Sequence, residues 1–150
     1  MAEILRPLGN VARALDSIAN HEFQRVHLTK GQYLYLARVA EHPGIILERL
    51  AELLRVDRTT AARAVQKLTT VGLLEKRTDE VNRKIKKLFV TTQGAEIYPL
   101  VQRENAYSNG IALQGFSPAE AAQLASFLQR VDQNVAENWE AVKQGQIRNY

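Results

Sequence analysis

The chain has 150 residues, no cysteine, a net charge of +4 and a pI near 9.5, the size of one domain or one compact subunit. The absence of cysteine excludes disulfides, thiolate metal sites and a thiol redox switch, and suits a reducing cytoplasm. The opening MAEILRPLGN carries no charged-then-apolar leader, and no apolar run approaches the roughly 20 residues of a membrane span. No membrane partner is expected, and the basic balance hints at a polyanionic one.

Apolar residues at Ile4, Leu8, Val11, Leu15 and Ile18 recur at spacings of 4, 3, 4 and 3, which predicts a helix from Ile4 to about Phe23. Pro7 is tolerable in its first turn. The run Leu28 to Tyr33 predicts a second helix start. Thr29 is placed as the cap, Gln32 as the closing residue of a capping box, and Leu28 as a staple onto Tyr33. Pro43-Gly44 stops that helix near His42.

Leu47, Leu50, Ala51 and Leu54 give a two-turn amphipathic helix. Arg55-Val56 makes a tight turn, Asp57 caps another helix running to about Thr70, and Gly72 supplies a left-handed stop. Two short helices joined by about three residues form a helix-turn-helix candidate. The period then changes: Leu73–Thr78 and Lys84–Thr91 read as the strands of a hairpin around the polar loop at 79–83. Thr91 caps a helix of about Thr92 to Gly110. Ser117, Pro118 and Glu120 open the last helix, whose stripe is Leu124, Leu128, Val131, Val135, Trp139 and Val142.

Charge is concentrated in the middle. Arg55 to Lys87 holds ten basic and four acidic side chains, a net of +6, which leaves −2 for the remainder. A solvated face is the plain reading of such a segment. The helix beginning at Arg58 argues for more. Its small apolar residues Ala61, Ala64, Val65 and Leu68 fall on one side, and Thr59, Ala62, Arg63, Gln66 and Thr70 fall opposite.

A helix of about 13 residues is roughly 20 Å long and fits a major groove about 12 Å wide. Arg63 suits guanine O6/N7, Gln66 suits adenine N6/N7, Thr59 offers a hydroxyl, and Ala62 suits a thymine methyl. Arg58, Thr60 and Lys67 are expected to hold phosphates. Arg83, Lys84 and Lys86 on the hairpin are expected to follow the backbone into the adjacent minor groove. The plain alternative is a lysine-blunted hairpin beside an ordinary solvated helix; a rival from another class is a winged-helix protein-docking module with no DNA duty, which the +6 segment argues against.

The stretches LTKGQYLYLARVAEHPG, LAELLRVDRTTAARAVQKLTTVGLLEKR and NRKIKKLFVTTQG, within Leu28 to Gly94, resemble the MarR family of bacterial winged-helix transcriptional regulators. The resemblance implies a mainly α fold with a small β-hairpin wing: a winged helix-turn-helix plus a helical dimerisation region. Residues 29–91 would form the DNA-binding domain, and residues 1–28 and 92–150 the dimerisation region. It implies a cytoplasmic homodimer that reads a palindromic operator on double-stranded DNA, as a repressor, and that a small aromatic or phenolic effector releases.

The chain departs from the family pattern at three places. Asn82 and Lys84 flank Arg83 where Asp and Arg are frequent, which weakens an internal Asp–Arg brace. Arg55 occupies a turn position that often carries Gly, at a left-handed backbone cost of about 1 kcal/mol. Ile46 stands where a Ser/Thr cap is usual.

The striped terminal helices ask for apolar partners, either each other within one chain or a shared dimer interface. The expected interface residues are Ile4, Leu8, Val11, Leu15, Leu128, Val131, Val135 and Trp139. A twofold pair matches pseudo-palindromic half-sites about 34–36 Å apart. His21, His27 and His42 lack the i, i+4 spacing of a ligand pair, so no metal and no cofactor is expected. Ser108, Ser117 and Ser126 sit in no recognisable acid–base motif, so no enzymatic activity is expected either. Tyr33, Tyr35 and Arg38 lie where similar regulators place effectors, but a core or interface role suits them better.

Overall fold

The computed structural model describes residues 1–150. The chain packs as two compact units, Met1–Ser108 and Asn109–Tyr150. The elements are α1 (Leu5–Phe23), followed by a 3-10 turn (Gln24–Val26), α2 (Gln32–Glu41), α3 (Leu47–Leu54), α4 (Arg58–Thr70), β1 (Leu74–Thr78), β2 (Lys86–Val90), α5 (Thr92–Ala112) and α6 (Pro118–Lys143).

The core of the first unit gathers large side chains from α1, α2, α3, α4 and both strands, with Leu28 from the loop before α2. Phe23, Leu28, Leu36, Leu50, Val65, Leu68, Leu74 and Leu88 are all fully buried. Loss of any one of the leucines to alanine removes about 2–5 kcal/mol. This core holds α3 and α4 against α2 and the base of the hairpin.

Local chemistry sets the ends of α4. Asp57 accepts from the Thr60 N–H at the start. At the other end the Leu73 N–H bonds the Leu68 carbonyl at 2.9 Å and the Gly72 N–H bonds the Thr69 carbonyl at 3.1 Å. That pair of bonds requires a left-handed residue, and Gly72 provides it at φ +80°. Arg55 is left-handed too, at φ +55°, as its turn demands, and its Nη1 donates to the Glu52 carbonyl at 2.7 Å. Ile46 begins α3 with no side-chain cap.

β1 and β2 pair antiparallel, from Leu74 opposite Val90 to Thr78 opposite Lys86. The base of the hairpin is anchored further: the Gly44 N–H donates to the Leu88 carbonyl at 2.8 Å, and the Leu88 N–H donates to the Ile45 carbonyl at 2.9 Å. The strands are shorter than their sequence period suggests. Residues 84–85 belong to the loop, because the Ile85 N–H and carbonyl are used by Asn82 and Asp79 to close it.

The start of α2 differs from expectation. Thr29 does not cap with its hydroxyl, and the helix starts at Gln32 behind Gly31. Lys30 and Gly31 are both left-handed, at φ +54° and +75°, which prevents helix from forming through them. Half of the expected box survives, since Gln32 Oε1 accepts from the Thr29 N–H at 3.1 Å. The Gly31 N–H is taken by Asn20 Oδ1 of α1 at 2.8 Å, a long-range bond. Tyr33 lies against Phe23, ring centroids 5.2 Å apart, and donates its hydroxyl to Asp16 at 3.0 Å.

The last two helices follow the sequence closely. Thr91 caps α5, which runs two residues past Gly110. Ser117 and Glu120 form a complete capping box on α6, with Pro118 in its first turn. No helix is long and apolar enough to cross a membrane.

Candidate nucleic-acid interface

At about 100° per residue, α4 divides into four sectors. Ala61, Val65 and Leu68 point into the core. Thr59, Gln66 and Thr70 form an exposed crest on the opposite side. Arg58 and Ala62 lie on the flank towards the hairpin. Thr60, Ala64 and Lys67 lie on the flank towards α2, with the exposed Arg63 between that flank and the crest.

A cleft borders each flank. The hairpin-side cleft, about 360 Å³, has an apolar floor that includes Ile46, Val65 and Leu88, under a rim of Arg58, Lys76, Lys84 and Lys86 with Glu48. The α2-side cleft, about 200 Å³, is lined by Lys30, Gln32, Tyr35, Thr60, Arg63, Ala64 and Lys67. Tyr33 is directed elsewhere, with Arg38, Tyr98 and Glu104, to a cleft of about 100 Å³ between α2 and α5. The two neighbouring tyrosines therefore serve different surfaces.

Not every expected contact residue has its chemistry free. The Thr60 hydroxyl donates to Asp57 Oδ2 at 2.8 Å, so its hydrogen is committed to the cap and not available to a phosphate. These bonds hold the Asp57 carboxyl below the usual carboxylate range, the Thr60 N–H foremost and its hydroxyl next. Arg58 Nε lies 3.9 Å from Glu48, a loose and exposed pair. Such pairs contribute little and exchange readily for another anion.

The Gln66 side chain is held at both ends. Its Oε1 accepts from Lys76 Nζ of β1 at 3.4 Å, and its Nε2 donates to the Thr70 hydroxyl at 3.5 Å. Lys76 is the hairpin residue whose tie to α4 the sequence reading missed.

The pleat sorts the charges of the hairpin. Lys76, Thr78, Lys86 and Leu88 share the face towards α4. Glu75, Arg77, Lys87 and Phe89 share the reverse face, where Arg77 pairs with Glu75 and covers the Phe89 ring at 4.2 Å. Lys87 Nζ pairs with Asp79 at 2.9 Å. Asp79 also accepts from the Val81 and Asn82 N–H groups, at 3.1 and 2.8 Å. The Asn82 N–H bond is the main cause of its lowered pKa, with Lys87 second.

An Asp79–Lys87 brace thus stands in the loop whose sequence lacks the Asp–Arg pair. Arg83, Lys84 and Lys86 remain exposed and without carboxylate partners, while Lys86 Nζ donates to the Thr78 hydroxyl at 2.8 Å. Period-two alternation, applied strand by strand, would have separated Lys76 and Lys86 from the carboxylate-paired Arg77 and Lys87.

The terminal stripes are open in this chain. On α1, Ile4, Val11, Leu15 and Ile18 are exposed and Leu8 is half-buried. α6 has no buried residue along its 26; Phe127, Leu128, Val135 and Val142 are exposed, and Val131 and Trp139 are half-buried.

This architecture has close counterparts. The MarR family model matches residues 28–86. YybA of Bacillus subtilis, an HTH-type transcriptional regulator, is 53% identical over 150 residues, all of both chains. The chain belongs to the MarR family. A MarR-family transcriptional regulator of Listeria monocytogenes, crystallised with a 26mer DNA, is 49% identical and superposes with a TM-score of 0.97 over the whole of both chains. A further solved relative, the transcriptional regulator SlyA, is 53% identical with a TM-score of 0.91, over 94% of this chain and 99% of that one. Like these MarR-family relatives, the chain is a winged-helix transcriptional regulator, not an enzyme.

Proposed function

We propose that this MarR-family regulator binds double-stranded DNA as a homodimer, laying α4 in the major groove and the hairpin wing along the adjacent minor groove. The observation that carries the reading is the pairing of the exposed α4 side chains Thr59, Arg63 and Gln66, on and beside the crest, with a wing whose Arg83, Lys84 and Lys86 have no carboxylate partner. Ala62 completes the base-facing set. Arg58 and Lys67 hold backbone phosphates, and Thr60 serves through the cap. The Listeria relative crystallised with a 26mer DNA supports the DNA-binding part of this reading.

The operator is a palindrome read by one α4 from each subunit, and occupancy represses. Residues 29–91 carry DNA binding; residues 1–28 and 92–150 carry dimerisation through Ile4, Leu8, Val11, Leu15, Leu128, Val131, Val135 and Trp139. Exposed apolar stripes on α1 and α6 support this, since a lone chain leaves them in water. A small aromatic or phenolic effector releases the DNA, as the family resemblance implies. Selection of bound genomic fragments, followed by sequencing, tests the reading. Recovery of one motif with twofold symmetry is expected. Failure to retain any fragment at low salt, without effector, would overturn it.

A further inference from the structure

The α2-side cleft has features that the wing and the crest do not explain. Three cations line it, Lys30 from the loop before α2 and Arg63 and Lys67 from α4, and no carboxylate lines it. None of the three forms an ion pair. Lys30 is carried at φ +54°, a conformation that costs a lysine energy. The loop is nonetheless fixed from both sides, by Asn20 Oδ1 on the Gly31 N–H at 2.8 Å and by Gln32 Oε1 on the Thr29 N–H at 3.1 Å. A strained, pinned lysine lining the same cleft as two cations that form no ion pair makes a seat for an anion.

The helix wheel says which anion. The hairpin-side flank and the α2-side flank of α4 lie on opposite sides of the crest, about 180° apart. A helix seated in a major groove has one sugar–phosphate wall on each side. The wing side already offers Arg58, Lys84 and Lys86 to one wall.

We propose that the cleft formed by Lys30 and Lys67, with Arg63 at its lip, seats a phosphodiester of the opposite wall, so that α4 is clamped between the two strands. The inference rests on the DNA-binding reading above. Lys30 then acts on every sequence alike, because a phosphate carries no base identity.

The test uses the full chain and two duplexes, a selected operator and a random sequence, titrated at several salt concentrations. Lys30→Asn removes the charge, and asparagine tolerates the left-handed backbone, so the fold is preserved. The slope of log K against log salt should fall by about 0.9 per bound subunit on both duplexes. Lys30→Arg should restore it, and Arg103→Gln, the same charge change on α5, should leave it unaltered. The proposal is overturned if the wild type binds and Lys30→Asn keeps the full slope. It is overturned equally if Arg103→Gln lowers the slope as much. A wild type that binds neither duplex defeats the DNA-binding reading itself.

Discussion

Thr60 gives Asp57 both its hydrogens, the backbone N–H to Oδ1 and the hydroxyl to Oδ2, each at 2.8 Å. α4 therefore starts on a carboxylate that is more strongly bonded when ionised. Its pKa is lowered in the fold, and the Asp79 carboxyl in the wing moves the same way. A carboxylate with a depressed folded pKa contributes stability above its unfolded value, about 3.9, and loses it as the pH falls through the folded value.

Asp57→Ala should lower the thermal midpoint at neutral pH. Asp57→Asn should fall between alanine and wild type, since asparagine still accepts at a cap. Its stability should also decline less than that of the wild type on acidification below about pH 4. Thermal melts of the three proteins from pH 7 to pH 2 measure this. Parallel curves for the Asp57→Asn variant and the wild type would contradict the assigned cause.

Arg63 and Lys86 should fail differently. Arg63→Ala should cost roughly 1–3 kcal/mol on the operator and relax sequence preference. Lys86→Ala should weaken all duplexes alike and reduce the salt slope by about one. Binding titrations on operator and random DNA separate the two. Equal losses on both for Arg63→Ala would remove its base-reading role.

Gly94 sits where α5 meets the start of β1. A Cβ there would lie 2.2 Å from the Leu73 carbonyl oxygen and 3.4 Å from Leu36 Cδ1. Neither the backbone nor the packed leucine can yield easily, so Gly94→Ala should destabilise by about 1–3 kcal/mol. Denaturant titration checks it, and an unchanged midpoint would show that the junction has slack.

The apolar stripes give a test of assembly. Val11→Asp and Val135→Asp each place a charge on a side chain that is exposed in the single chain. Both variants should keep their helical circular dichroism while sedimenting as monomers, and operator affinity should drop with them. A variant that remains dimeric would take its residue out of the interface.

The sequence made α4 legible because its determinants are local. Asp57, the buried Ala61/Val65/Leu68 side and Gly72 all act within a few residues of the helix they shape. The capping box on α6 was readable for the same reason. What escaped was non-local. Asn20 takes the Gly31 N–H from eleven residues away, and the cap position of α2 is Gly31 rather than the expected Thr29. Lys76 reaches Gln66 across the junction of strand and helix. The family pattern also directed attention to Asn82 and Lys84, whereas the loop is braced by Asp79 and Lys87. Lys30 was read only as part of a helix start, and its meeting with Arg63 and Lys67 needs the tertiary fold.

One oxygen atom joins three parts of the first unit. The Thr91 hydroxyl donates to the Gly72 carbonyl at 2.6 Å and accepts from the Gly94 N–H at 3.1 Å, while the Thr91 N–H bonds the Leu73 carbonyl at 3.1 Å. The exit of α4, the return of the wing and the first turn of α5 consequently share a single rivet. Rotation of the first turn of α5 is thereby tied directly to the end of α4 and the base of the hairpin, with no flexible linker between them.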